Sequence, residues 1–179
     1  MSCNQLSYFP DSFMTPLSSN DTRTYCLSDP PAAALNCRAV LNAASGGLGP
    51  LPSVTTLFTS PFNIVSTSVD TRNLGTSNNL LHLSGILYLP AGVSVTLSFQ
   101  FRRVSCSGQS VAVGGTYTLI QSVVAPESRS IDFQLFDSNV QPGFYTYSAE
   151  LSANSIVTGA PGCTVSNAVL SILAASDHR

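Results

Sequence analysis

Ten consecutive residues, Val93-Ser94-Val95-Thr96-Leu97-Ser98-Phe99-Gln100-Phe101-Arg102, alternate apolar and polar without a break. A helix would scatter these side chains around its axis, whereas a strand places all five apolar ones on one face. Such a segment belongs in a sheet with one face buried and one wet. A slip of one residue would turn Val93, Val95, Leu97, Phe99 and Phe101 outward together, so the register is strongly specified and these five are expected in the core.

The same period recurs. Ile131-Asp132-Phe133-Gln134-Leu135 and Tyr145-Thr146-Tyr147-Ser148-Ala149-Glu150-Leu151-Ser152-Ala153 alternate in the same sense. Less regular strands are expected over Val54–Thr59, Phe62–Val69, Leu80–Leu89, Thr116–Val124 and Val165–Ala174. Turn formers separate them at Pro90-Ala91-Gly92, Gly114-Gly115, Pro126-Glu127-Ser128, Pro142-Gly143 and Ala160-Pro161-Gly162. Eight short strands at this spacing predict an all-β fold, an eight-stranded antiparallel jelly-roll sandwich over residues 51–179.

Two further pieces precede it. Residues 1–28 mix apolar pairs with turn formers, as in Tyr8-Phe9-Pro10-Asp11, and read as an extended N-terminal arm or connector. Residues 29–50 read as one short helix and a linker. Asp29 can cap it, Pro30 or Pro31 fits its first turn, Ala32 to Ala44 are rich in helix formers, and Gly46-Gly47 ends it.

Composition narrows the function. Only 9% of the 179 residues are charged, against about a quarter in typical domains. Ser, Thr, Asn and Gln replace them, so copies of the surface approach one another with little repulsion. All seven basic residues are Arg. The absence of Lys, which usually blunts sheet edges, fits either a surface meant to be covered or a skewed genome composition. With a net charge of -2 and no basic stripe, nucleic acid is not an expected partner. No apolar run is long enough to insert in a membrane. Met1-Ser2-Cys3-Asn4-Gln5 lacks the charged and apolar regions of a secretory signal, so synthesis in a cytoplasm is expected.

The residues offer little chemistry. No metal-binding spacing, phosphate loop or nucleophile elbow is visible. His82 stands alone in a strand and is expected to face solvent, while His178 lies near the C-terminus. Asp132 and Asp137, five apart, fall on opposite faces of a strand and are expected to be solvated. No catalytic, cofactor-binding or metal-binding residue is therefore assigned, and no enzyme is expected.

Five cysteines leave at least one unpaired within the chain. Cys3 on the arm is the expected intersubunit disulfide partner of Cys106 or Cys163, both in turn regions expected at the surface. Cys26 and Cys37 form a possible internal pair. The alternative is that all five are reduced and packed as small hydrophobes.

The N-terminal Met1-Ser2-Cys3-Asn4 and the low-charge, Ser/Thr-rich strand series from Leu83 to Ala174 resemble bacterial spore-surface jelly-roll proteins, namely endospore-appendage subunits and the heads of exosporium filaments. Gly143-Phe144-Tyr145-Thr146-Tyr147 followed by Val165–Leu173 is similar to the last strand pair of heads of the tumour-necrosis-factor/C1q type. The resemblance implies a structural subunit, partnered by copies of itself and by other surface-layer proteins. It would assemble through its arm and sheet edges into a disulfide-locked filament or layer, ending in an extracellular or spore-surface assembly. Two alternatives stay open: a viral capsid jelly roll, and a trimeric receptor- or carbohydrate-binding head with Tyr145 and Tyr147 as stacking surfaces.

Overall fold

The structure, a computed structural model, describes residues 38–51, 60–158 and 162–176, with the backbone alone for 154–158. Eight strands fill them: β1 (Ala39–Leu48), β2 (Phe62–Asp70), β3 (Ser77–Leu89), β4 (Val93–Ser105), β5 (Ser110–Val123), β6 (Glu127–Val140), β7 (Phe144–Thr158) and β8 (Thr164–Ser176). β2 to β8 stand where seven of the strands were expected, each longer than its sequence signal. The strand expected over residues 54–59 and the arm over residues 1–28 lie outside the described residues.

Two four-stranded sheets form, in the orders β1-β8-β3-β6 and β2-β7-β4-β5. β1 pairs with β8, β2 with β7, β3 with β6 and β4 with β5, all antiparallel. This nesting is one long hairpin, with its tip between β4 and β5. The pairs β3·β8 and β4·β7 roll the hairpin over itself into two layers. Apart from β4 and β5, strands consecutive in sequence therefore lie in opposite sheets. That is the jelly-roll arrangement.

The core lies between the layers. Val93, Val95, Leu97, Phe99 and Phe101 are all buried, as their alternation requires. They meet Leu81, Leu83, Leu87 and Leu89 of β3 and Leu170 and Ile172 of β8. Each of these side chains contributes about 1.5–3 kcal/mol of transfer free energy when fully buried.

The helix expected from Ala32 to Ala44 is corrected over its described part: residues 39–44 belong to β1. The first sheet thus takes its edge strand from the segment assigned to helix and linker. Val40, Ala44 and Leu48 pack against the core, and their spacing of four imitates a helix face. The inward positions between them are Asn42 and Gly46, which turn toward β2. Asn42 Nδ2 donates to the Ser68 carbonyl at 2.5 Å. A Cβ on Gly46 would stand 2.7 Å from the Ile64 carbonyl oxygen. Gly46 and Gly47 therefore permit a register shift and a close approach of two edges, rather than stopping a helix.

Candidate functional site

Strand directions bring one set of connections to a single end of the sandwich: residues 71–76, 106–109 and 141–143, together with the start of β1 and the end of β8. Arg38, Asp70, Arg72, Arg102, Arg103 and Asp137 gather toward this end.

At its centre a chain of hydrogen bonds crosses between the layers. Ser77 Oγ donates to Asn79 Oδ1 at 3.0 Å, and Asn79 Nδ2 donates to the Tyr147 hydroxyl at 2.7 Å. That hydroxyl donates in turn to Asp137 Oδ2 at 2.7 Å, and Arg103 Nη1 donates to the same oxygen at 2.6 Å. β3 and β6 of one sheet are thereby tied to β4 and β7 of the other. The Arg103 guanidinium also lies 5.3 Å from the centre of the Tyr145 ring, within cation–π range.

The environment fixes the protonation of this network. Burial, reinforced by the neighbouring Asp137 carboxylate, pushes the Tyr147 hydroxyl well above its ordinary pKa, so it stays a neutral donor. Burial opposes the charge on Arg103, but Asp137 and Tyr147 outweigh it and hold the guanidinium protonated. No buried side-chain nitrogen or oxygen among the described residues lacks a hydrogen-bond partner. A satisfied network of this kind rigidifies, and none of its polar groups is left aimed at an absent ligand.

Other connections at this end are secured likewise. Thr71 Oγ1 donates to the Gly143 carbonyl and accepts from the Gly143 amide, both at 3.1 Å. Asp70 pairs with Arg72, whose hydrogen bonds lower the exposed Asp70 carboxyl to about 2. Arg102 pairs with Glu150 across β4 and β7.

The residues singled out from sequence fall as follows. Asp132 and Asp137 do occupy opposite faces, but only Asp132 is solvated; Asp137, only 13% exposed, is the hub of the network, which corrects the expectation for it. His82 faces outward from β3 and meets Asp132 of the neighbouring β6 at 3.1 Å, so it is not isolated. Tyr147 is buried and Tyr145 half-buried with its ring against Arg103, so the pair offers no open stacking surface. Cys106 is exposed in the hairpin tip, as expected. Cys163, expected at the surface, is buried, and that burial raises its thiol pKa. Both are free thiols. Cys3, Cys26 and Cys37 lie outside the described residues. No group of three His, Cys, Asp or Glu side chains among the described residues is placed to hold a metal.

Sequence reasoning missed the network because its members come from four strands, and apart from Ser77 and Asn79 on β3 they lie far apart in the chain. The one available signal was an acidic residue, Asp137, on the inward parity of β6.

No family model and no curated protein matches the sequence. Among solved structures, the fold is similar to a mutant VP2 protein of infectious bursal disease virus in derived T=1 particles. The TM-score is 0.50 at 11% identity, covering 89% of this chain and 39% of that one. It is also similar to the structure of the Gt strain of that virus, at TM-score 0.47 and 11% identity over 87% of this chain and 38% of that one. A xylan-binding domain from Paenibacillus barcinonensis follows at TM-score 0.33 and 14% identity, over 77% and 87% of the two chains. The chain spans about two fifths of the length of the virus chains it matches. The likeness at TM-score 0.50 agrees with the jelly-roll topology derived from the strand pairing.

Proposed function

We propose that the chain is a structural, non-enzymatic subunit that adds to copies of itself through a sheet edge, building a filament or surface layer. The observation that carries this is β5. It is the outer strand of its sheet and runs for 14 residues, Ser110–Val123, without one charged residue or proline. Edge strands expose backbone donors and acceptors, and proteins that stay monomeric blunt them with charge, proline or cover. The other edges are managed. β1 and β2 lie against each other, and β6 carries Glu127, Arg129, Asp132 and Asp137. β5 also presents Ile120, 73% exposed, on its outer face.

The ionisable side chains support the same reading, since their bonds link strands and turns of the scaffold. In the assembly residues 1–28 would pass between neighbours, and Cys106 is the reachable thiol for a disulfide with Cys3. The sequence resemblance to spore-surface subunits favours a spore appendage as the polymer. A closed shell is the second reading, because the virus proteins with this fold are described in T=1 particles.

Negative-stain electron microscopy of the purified chain is the test, with fibres or sheets expected and closed shells supporting the second reading. Thr118→Lys with Ile120→Lys, two exposed positions on β5, is expected to abolish the polymer while changing fold stability by no more than about 0.5 kcal/mol. A wild-type chain that stays a monodisperse monomer at high concentration refutes the proposal.

A further inference from the structure

The outer faces of the two sheets differ. On the β2-β7-β4-β5 sheet no outer row is wholly apolar: Ser66–Ser148–Arg102–Ala112 and Ser152–Ser98–Thr118 are mostly polar, and exposed Ile120 pairs with Thr96. On the β1-β8-β3-β6 sheet, one row is wholly apolar. Leu41 pairs with Leu173, Leu173 with Leu80, and Leu80 with Phe136, so a single apolar line crosses all four strands. Leu41 is 70% exposed, Phe136 69% and Leu173 41%. The next row on the other side, Ala39–Ala175–Asn78, broadens the line over β1 and β8 and turns polar at β3. In the adjacent row, Ala43–Ser171–His82–Gln134, the three residues on β8, β3 and β6 are polar, so the apolar line has a defined border there.

We infer that this line is the docking site of the chain's own N-terminal segment. The sequence before Arg38 leads into β1, and Leu41 begins the line only three residues after Arg38. The segment has the matching chemistry: Leu6, Tyr8, Phe9, Phe13, Met14 and Leu17 lie within its first 20 residues, where Asp11 is the only charged side chain. Reach is ample. Four strands span about 15 Å, which five or six extended residues cover, and the 17 residues from 21 to 37 can stretch about 55 Å to make the return. Tethering supplies an effective concentration on the order of millimolar, so the chain's own segment outcompetes a dilute partner for the same apolar line. The docking does not depend on assembly. In a polymer, the same contact would be the one passed to a neighbour.

Hydroxyl-radical footprinting of the full-length chain tests this, with each residue's labelling normalised to the urea-unfolded protein. Val124, in the exposed turn after β5, is the reference. Leu41 and Phe136 are expected to label several-fold less than Val124. In a Tyr8→Ser, Phe9→Ser, Phe13→Ser variant, which alters no residue of the sandwich, they should rise to the level of Val124. Labelling of Leu41 and Phe136 at the Val124 rate in the unaltered chain overturns the inference. So does protection that the arm variant leaves unchanged, since something else then covers the line. Protection lost on tenfold dilution also overturns it, because the cover would then be a second copy. A polymer that fails to form leaves this readout intact, so the two proposals fail separately.

Discussion

Replacing Tyr147 by Phe removes one hydroxyl and leaves the ring that fills the space between the sheets. That hydroxyl accepts from Asn79 and donates to Asp137. Asn79 is fully buried, so its amide loses a partner that water cannot readily replace; an orphaned buried donor costs about 1–3 kcal/mol. Asp137 keeps Arg103, so its loss is smaller, and the total is about 2–4 kcal/mol. For a chain of this size each kcal/mol moves the melting temperature by about 2–4 °C, so Tyr147→Phe should lower Tm by about 4–16 °C. Urea unfolding should show a lower midpoint with an unchanged slope, because the surface exposed on unfolding is the same. The control is Tyr145→Phe, whose hydroxyl donates to the exposed Gln141 carbonyl and should cost about 0.5 kcal/mol or less. The pH dependence gives a second check. Folding holds the Tyr147 proton above the ordinary pKa of 10.0, so its stabilising contribution is whole below pH 10 and is lost as the pH rises past it. Tyr147→Phe should therefore lose less stability than the wild type between neutral pH and the alkaline range. A loss below about 0.5 kcal/mol for Tyr147→Phe would show that the network does not tie the sheets.

Three further outcomes are expected. Gly46→Ala forces a Cβ to within 2.7 Å of the Ile64 carbonyl and 2.9 Å of the Val65 Cβ, and should destabilise by about 1–3 kcal/mol in urea unfolding; Gly49→Ala, with nothing within 4 Å, should change little. Pulsed alkylation read by peptide mass spectrometry should modify exposed Cys106 at once and buried Cys163 only on unfolding; equal rates would contradict the burial of Cys163. Carboxyl NMR should find Asp70 titrating near 2, and Arg72→Gln should return it toward the ordinary 3.8. Because the folded value is depressed, the Asp70–Arg72 contribution is present above pH 3.8 and disappears as pH falls through about 2.

The sequence by itself determined most of the strands, and it did so where one face is buried and the other wet. In β4 the alternation alone identifies the five core residues, because strand period and burial agree at every position. β7 is legible for the same reason through Ala153. β1 was not legible. Its inward positions alternate between apolar residues and the Asn42 and Gly46 that face β2, so the spacing of four and the alanine-rich composition point to a helix. Pairing along β8 overrides that local preference. Which strand neighbours which was likewise invisible, since alternation fixes the face of a strand and not its partner. Only the nesting of the pairs places Arg103, Asp137, Tyr147 and Asn79 on facing sheets, although they come from four separate strands. The apolar line of Leu41, Leu173, Leu80 and Phe136 has the same origin. Each residue alone is an unremarkable exposed hydrophobe. Register across four strands, which no stretch of sequence encodes locally, makes them one surface.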